Sequence, residues 1–144
     1  MDHIFLLLIT LCLFGHTFEV DIPDSALTPE DYECMSALNI GREQVERFFD
    51  GDYLFVLNLP LADKYSECWI KKMNFVNDKN EFNYDKFREY VVRDVLHNLG
   101  KQNEADAEYR VRQSIDNCKN INEENLGRLG SKIYNCVVRA IHKF

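Results

Sequence analysis

The sequence is poor in the residues that interrupt helices, with six glycines and three prolines among 144 residues. It has no internal repeat and no low-complexity stretch. Positive charge is in deficit: 17 Lys and Arg stand against 24 Asp and Glu, a formal net charge of −7. That balance argues against nucleic acid, whose phosphates need a basic face, and against anionic membrane surfaces. No cysteine pair has the short spacing of a zinc site, and no serine stands in a G-x-S-x-G elbow. After Ile4–Phe14 there is no second long apolar run, so no stable membrane insertion is expected.

The single apolar run lies in a segment of its own. Residues 1–17, MDHIFLLLITLCLFGHT, contain no Lys or Arg. Eleven residues, apolar except for Thr10, are too few to cross a bilayer. With Gly15 and Thr17 behind them they fit a secretory signal peptide cut near Thr17, the alternative being a buried N-terminal helix. The expected organisation is a signal peptide at 1–17 and a soluble domain at 18–144, secreted and carrying 17 − 23 = −6 charges.

Removing the leader removes Cys12 and leaves Cys34, Cys68, Cys118 and Cys136. An even number in a short secreted chain reads as two disulfides, with three pairings open. If sequence neighbours pair, helix one is joined to helix three and helix five to helix six. Each such closure removes about 3–4 kcal/mol of unfolded-state freedom in the loop-entropy account. Covalent staples let a domain tolerate an interior cavity that packing alone supports poorly.

Helical periodicity organises the rest. Thr28-Pro29-Glu30-Asp31 has the form of a helix start: cap, Pro at the first position, then carboxylates at the positive end of the dipole. Tyr32, Met35 and Leu38 come next at helical spacing. A second helix carries Val45, Phe48 and Phe49, with Gly51 placed to end it. Tyr53–Pro60 reads as extended, and a third helix then presents Tyr65, Cys68, Trp69 and Met73. Asn77–Asn80 is a turn, and Asn83 caps a fourth helix with the stripe Tyr84, Phe87, Val91, Val95, Leu96. A fifth, after the polar stretch Asn98–Asn103, carries Ala107, Val111, Ile115 and Cys118. The last, expected from near Glu123, has the clearest stripe, from Leu126 and Leu129 through Ile133, Val137 and Ile141 to Phe144. Six helices with short links make an all-α, disulfide-stapled single domain.

Catalytic chemistry finds little support. The mature histidines, His97 and His142, sit near helix C-termini, where a cation is favoured. The carboxylates are scattered among Lys and Arg as solvated faces or helix-surface partners. The Asn77–Glu81 turn lacks the spaced ligands and central Gly of a calcium loop. The reading is a non-enzyme without metal or cofactor.

The chain resembles the insect odorant-binding proteins, and specifically their four-cysteine branch. Cys34, Cys68, Cys118 and Cys136 match the family's first, third, fourth and sixth cysteines. The string Cys68-Trp-Ile-Lys-Lys-Met-Asn-Phe-Val-Asn-Asp78 is similar to the segment that begins at the family's third cysteine. By the family's spacing the second cysteine would stand at Lys64 and the fifth at Gly127; both halves of that bridge are absent together. Tyr32-Glu33-Cys34 through Ile40 and Val45–Tyr53 are similar to the family's first two helices, so the likeness runs over residues 28–144. The interval from Cys68 to Cys118, 49 residues, is longer than the family's, with the excess assigned to Asn98–Asn103. The resemblance implies the pairs Cys34–Cys68 and Cys118–Cys136 and six helices converging on an apolar cavity.

It also implies a carrier of small hydrophobic ligands, odorants or pheromones, in sensillum lymph or haemolymph. A chemosensory receptor as an indirect partner and a weak homodimer are further expectations. The alternative is a body-fluid or salivary scavenger or interaction protein with a filled core. The lining candidates are Phe55, Leu57, Trp69, Met73, Phe87, Val91, Ile115, Ile133, Val137 and Phe144, the last from the family habit of folding the C-terminus over the pocket. For each of these the competing place is a packed core. Tyr53, Tyr84 and Tyr134 are candidates to bond a ligand alcohol, aldehyde or acid. Any release at low pH would rest on His97, His142 or C-terminal carboxylates.

Overall fold

A computed structural model describes residues 20–144; the segment 1–17 expected to be a signal peptide, with Cys12, lies outside the described residues. Among these, six helices and no strand longer than an isolated bridge are present, which makes the domain all-α. Helix α1 spans Pro29–Leu38 and opens as the sequence suggests. Thr28 and Asp31 form a reciprocal capping box with Pro29 at the first position, and Asn39 closes the helix in the left-handed region, which Asn tolerates. Helix α2 is one short turn, Arg42–Glu46. It ends at Arg47, ahead of Gly51, so Phe48 and Phe49 leave the helix and enter a turn.

The stretch read as extended is only partly so. Phe49 and Phe55 form an antiparallel bridge around a tight loop, and Tyr53 and Asn58 take positive φ of 58° and 66°. A bulky residue is uncommon there, costing about 1–2 kcal/mol. Asp50 holds the loop in place: its Oδ1 accepts from the amides of Asp52 and Leu54, both at 3.0 Å.

Helix α3 (Pro60–Lys72) begins on Pro60. The turn after it, bridged at Val76 and Phe82, is held by Asn77, whose side chain accepts from the amides of Lys79 and Glu81 at 2.9 Å. Asn83 then caps α4, accepting from the Lys86 amide. Helix α4 runs Tyr84–Tyr90, passes through a π-helical turn Val91–Val95, and closes with Leu96–Asn98. The wider π turn accounts for the odd step in its stripe. It shifts the helix phase so that Val95 and Leu96, adjacent in sequence, are both buried.

Helix α5 is Ala107–Cys118 and α6 is Leu126–Ile141, the latter capped by Asn125. Glu123 lies before α6 and pairs with Lys132 at 2.6 Å. The long interval between Cys68 and Cys118 includes an irregular link between α4 and α5, turned at Gly100 and Asp106, both with positive φ.

Disulfides join Cys34 to Cys68 and Cys118 to Cys136, tying α1 to α3 and α5 to α6. The most extensive packing is α3 against α6. It is built on small residues: Ser66 and Ser131 are buried, Gly130 faces Ile70, and Gly127 faces the backbone of Asp63. Arg128 donates to the buried Asp63 carboxylate at 2.7 Å along the same seam. Lys64 and Gly127, where the family's missing bridge would lie, are respectively exposed and pressed against backbone.

Candidate ligand-binding cavity

A cavity of about 80 Å³, partly open to solvent, lies between α1, α3, α4 and α6. Its wall is aromatic. Tyr65 and Trp69 come from α3, Tyr90 and Val95 from the two ends of the π turn in α4, and Tyr134 from α6. In a regular helix residues five apart point in different directions; the π turn brings Tyr90 and Val95 to the same side. The loop after α2 adds Phe49, Tyr53 and Phe55; the Phe49 and Phe55 rings pack on one another and edge-on against Tyr134.

A clamp from α6 holds that loop. The buried Asn135 accepts from the Phe55 amide at 2.7 Å and donates to the Phe55 carbonyl at 2.8 Å, replacing a missing strand partner. The cover is the N-terminal stretch, with Ile22, Pro23, Ala26 and Leu27 facing the cavity. Arg42 latches it, donating to the Ile22 carbonyl, the Asp24 carboxylate and, at 2.8 Å, Glu46. Asn98 and Leu99, at the end of α4, complete the rim.

One end of the cavity is polar. Asp31, buried at the start of α1, spends one carboxylate oxygen on the cap, accepting from the Thr28 amide at 2.6 Å and hydroxyl at 2.8 Å. The other accepts from the Tyr65 hydroxyl. The hydroxyls of Tyr90 and Tyr134 have no hydrogen-bond partner among the described residues. The Trp69 indole N–H is buried and equally unpartnered. Burial, and then the Asp31 carboxylate, push the Tyr65 and Tyr134 phenols far above the ordinary range. Burial does the same for Tyr90, with Tyr134 and Asp31 adding to it. All three therefore remain protonated donors at neutral pH.

Of the ten lining candidates, Phe55 and Trp69 border this cavity, as do Tyr53 and Tyr134 among the hydroxyl candidates. Phe87, Val91, Ile115, Ile133 and Val137 instead lie in the packed core, which fills the space their stripes face. Phe87 meets Phe75 edge-on at 5.4 Å. Leu57 and Met73 are partly buried outside the wall, and Tyr84 faces Lys119. Phe144 does not cover the cavity. Its ring lies under the Arg110 guanidinium at 4.0 Å, and its carbonyl accepts from Lys101. Neither histidine borders the cavity; His142 Nε2 lies 3.0 Å from the Asp52 carbonyl.

The sequence reading missed Asp31, Tyr65, Tyr90, Val95 and the N-terminal cover. Tyr65 was visible as a stripe residue of α3. Tyr90, three residues after Phe87 in the regular part of α4, lies on the same side as the stripe, which was read through the adjacent Val91 instead.

A model of the PBP/GOBP family matches residues 27–140. The chain belongs to this family. No curated protein and no solved structure gives a significant match. PBP/GOBP proteins are carriers of small odorants and pheromones, a binding family and not a catalytic one. The matched residues take in the first five helices whole and the last as far as Ala140, and stop short of Phe144. No cluster of metal-ligating side chains and no helix long and apolar enough to cross a membrane occurs among the described residues of this PBP/GOBP chain.

Proposed function

We propose that residues 1–17 direct secretion and that 18–144 form a non-catalytic, four-cysteine carrier. It takes small hydrophobic molecules into the cavity bounded by Tyr65, Trp69, Tyr90, Phe55 and Tyr134. The observation that carries the reading is an aromatic cavity bordered by two tyrosine hydroxyls without a partner among the described residues, the combination that small-ligand sites use for affinity and orientation. Apolar burial supplies affinity at about 25 cal/mol per Å².

The cavity, at about 80 Å³, is smaller than the roughly 150 Å³ that admits benzene in an apolar protein interior. A ligand of odorant size therefore enters by displacing wall side chains, and the N-terminal cover is the part with least to lose. The same small volume favours a second reading, a secreted scavenger or interaction protein that works through its surface.

One experiment separates the two. The oxidised 18–144 domain is titrated with a lipophilic fluorescent probe and then with competing alcohols and aldehydes. Saturable uptake with displacement is expected. A folded, doubly disulfide-bonded protein that takes up nothing overturns the carrier reading in favour of the surface one.

A further inference from the structure

The polar end of the cavity offers donors and a fixed negative charge, and that combination selects among ligand head groups. Two tyrosine hydroxyls, of Tyr90 and Tyr134, and the indole N–H of Trp69 have no partner among the described residues. All three side chains border the cavity. Asp31 borders it too, but its oxygens are already engaged by the Thr28 amide, the Thr28 hydroxyl and the Tyr65 hydroxyl.

We infer that this end of the cavity receives an uncharged hydrogen-bond acceptor, the carbonyl oxygen of an aldehyde, ketone or ester, and discriminates against carboxylates. The inference rests on the carrier reading and deepens it. Three chemical arguments lead to the carbonyl. A carbonyl accepts from the hydroxyls of Tyr90 or Tyr134, which border the cavity and have no partner among the described residues. A carboxylate could accept the same bonds, but it would bring a second negative charge next to Asp31, where low dielectric strengthens the repulsion. An ammonium would be drawn to Asp31, yet it must lose its water among aromatic walls to reach a carboxylate that three donors already occupy.

The test is a competition series on one carbon skeleton in the oxidised 18–144 domain at neutral pH. Nonanal, nonane, nonanoic acid and nonylamine each displace a lipophilic probe, with fluorescence of the single tryptophan, Trp69, as a second readout. Nonanal is expected to bind most tightly and nonanoate most weakly. In the double variant Tyr90→Phe/Tyr134→Phe the nonanal affinity is expected to fall about five- to tenfold, while nonane binds at least as tightly as to the parent. Retained nonane binding shows that the variant is folded and still takes up an apolar chain.

Probe uptake with nonanoate equal to or tighter than nonanal overturns the inference, as does nonylamine binding tightest. So does a double variant that binds nonanal as well as the parent. In each of these cases the carrier reading stands. Absence of any probe uptake overturns the carrier reading and this inference with it.

Discussion

Gly127 lies so close to Asp63 that a Cβ at position 127 would sit 1.8 Å from the Asp63 carbonyl oxygen and 3.1 Å from the Glu67 amide nitrogen. The α3–α6 seam is therefore closed by backbone contact at the position that the resemblance assigns to a fifth cysteine. Gly127→Ala is expected to destabilise the domain by about 3 kcal/mol, the upper end for overpacking, because the opposing atoms are backbone and cannot rotate away. Gly130→Ala should cost less, since its nearest neighbours are the Ile70 and Ser66 side chains. Urea unfolding of the two variants checks the order. A Lys64→Cys/Gly127→Cys pair should fail to stabilise for the same reason.

Asn135 is the hinge pin between α6 and the aromatic loop. Asn135→Leu leaves the Phe55 amide and carbonyl without their side-chain partners. At about 1–3 kcal/mol for each abandoned buried group, a loss of roughly 2–5 kcal/mol is expected in denaturant unfolding. Asn135→Asp retains the bond from the Phe55 amide and should lose less. Equal losses would show that the bond from the Phe55 amide contributes little.

The two disulfides should differ in their effect on binding. Each closes a loop of 34 or 18 residues, so removing either pair as Cys→Ser should cost about 3–4 kcal/mol. Cys34–Cys68 joins α1, which carries Asp31, to α3, which carries Tyr65 and Trp69. Its loss is expected to weaken probe binding more than loss of Cys118–Cys136, as measured by fluorescence titration under conditions where both variants remain folded.

Arg42 and Phe144 separate two ideas of what covers the cavity. Arg42→Ala removes the latch on Ile22 and Asp24 and is expected to speed probe dissociation in stopped-flow measurements. Phe144→Ala removes a ring stacked under Arg110 and should leave the dissociation rate unchanged. The opposite result would assign the cover to the C-terminus, as the family resemblance implied.

The buried phenols make the fold sensitive to alkali. Tyr65, Tyr90 and Tyr134 are held above the ordinary phenol value of 10.0 in the folded state. Their contribution is therefore fully present below pH 10 and is lost as pH rises from there toward the folded values, because the unfolded chain releases protons that the folded one retains. Each buried group steepens the loss by up to about 1.4 kcal/mol per pH unit. Absorbance at alkaline pH should show Tyr65, Tyr90 and Tyr134 ionising only as the domain unfolds. Tyr90→Phe should move that unfolding to higher pH.

Much of the fold was legible because its signals are local. Thr28-Pro29 and Asn83 start helices through bonds within one turn, and the stripes of α3, α5 and α6 mark which faces turn inward. Gly51 and Glu123 misled because neither an achiral residue nor an acidic one specifies a boundary without its surroundings. Legibility failed at the cavity. Ile133, Val137, Phe87 and Val91 have the same apolar, inward-facing pattern as Phe55 and Trp69, and pattern alone does not tell a filled interior from an open one.

The sequence by itself determined the helix count, the helix starts at Thr28-Pro29 and Asn83, and the four cysteines available for pairing. These come from capping chemistry and a period of 3.6 residues, which act over a few neighbours. Only the tertiary structure decided where the open space lies. It arises where the π turn brings Val95 to the side of Tyr90, where Gly127 lets α6 close on α3, and where Asn135 and Arg42 hold a loop and a terminal strap across the gap. Those contacts join residues 18 to 80 positions apart, and no local pattern encodes a distance of that kind.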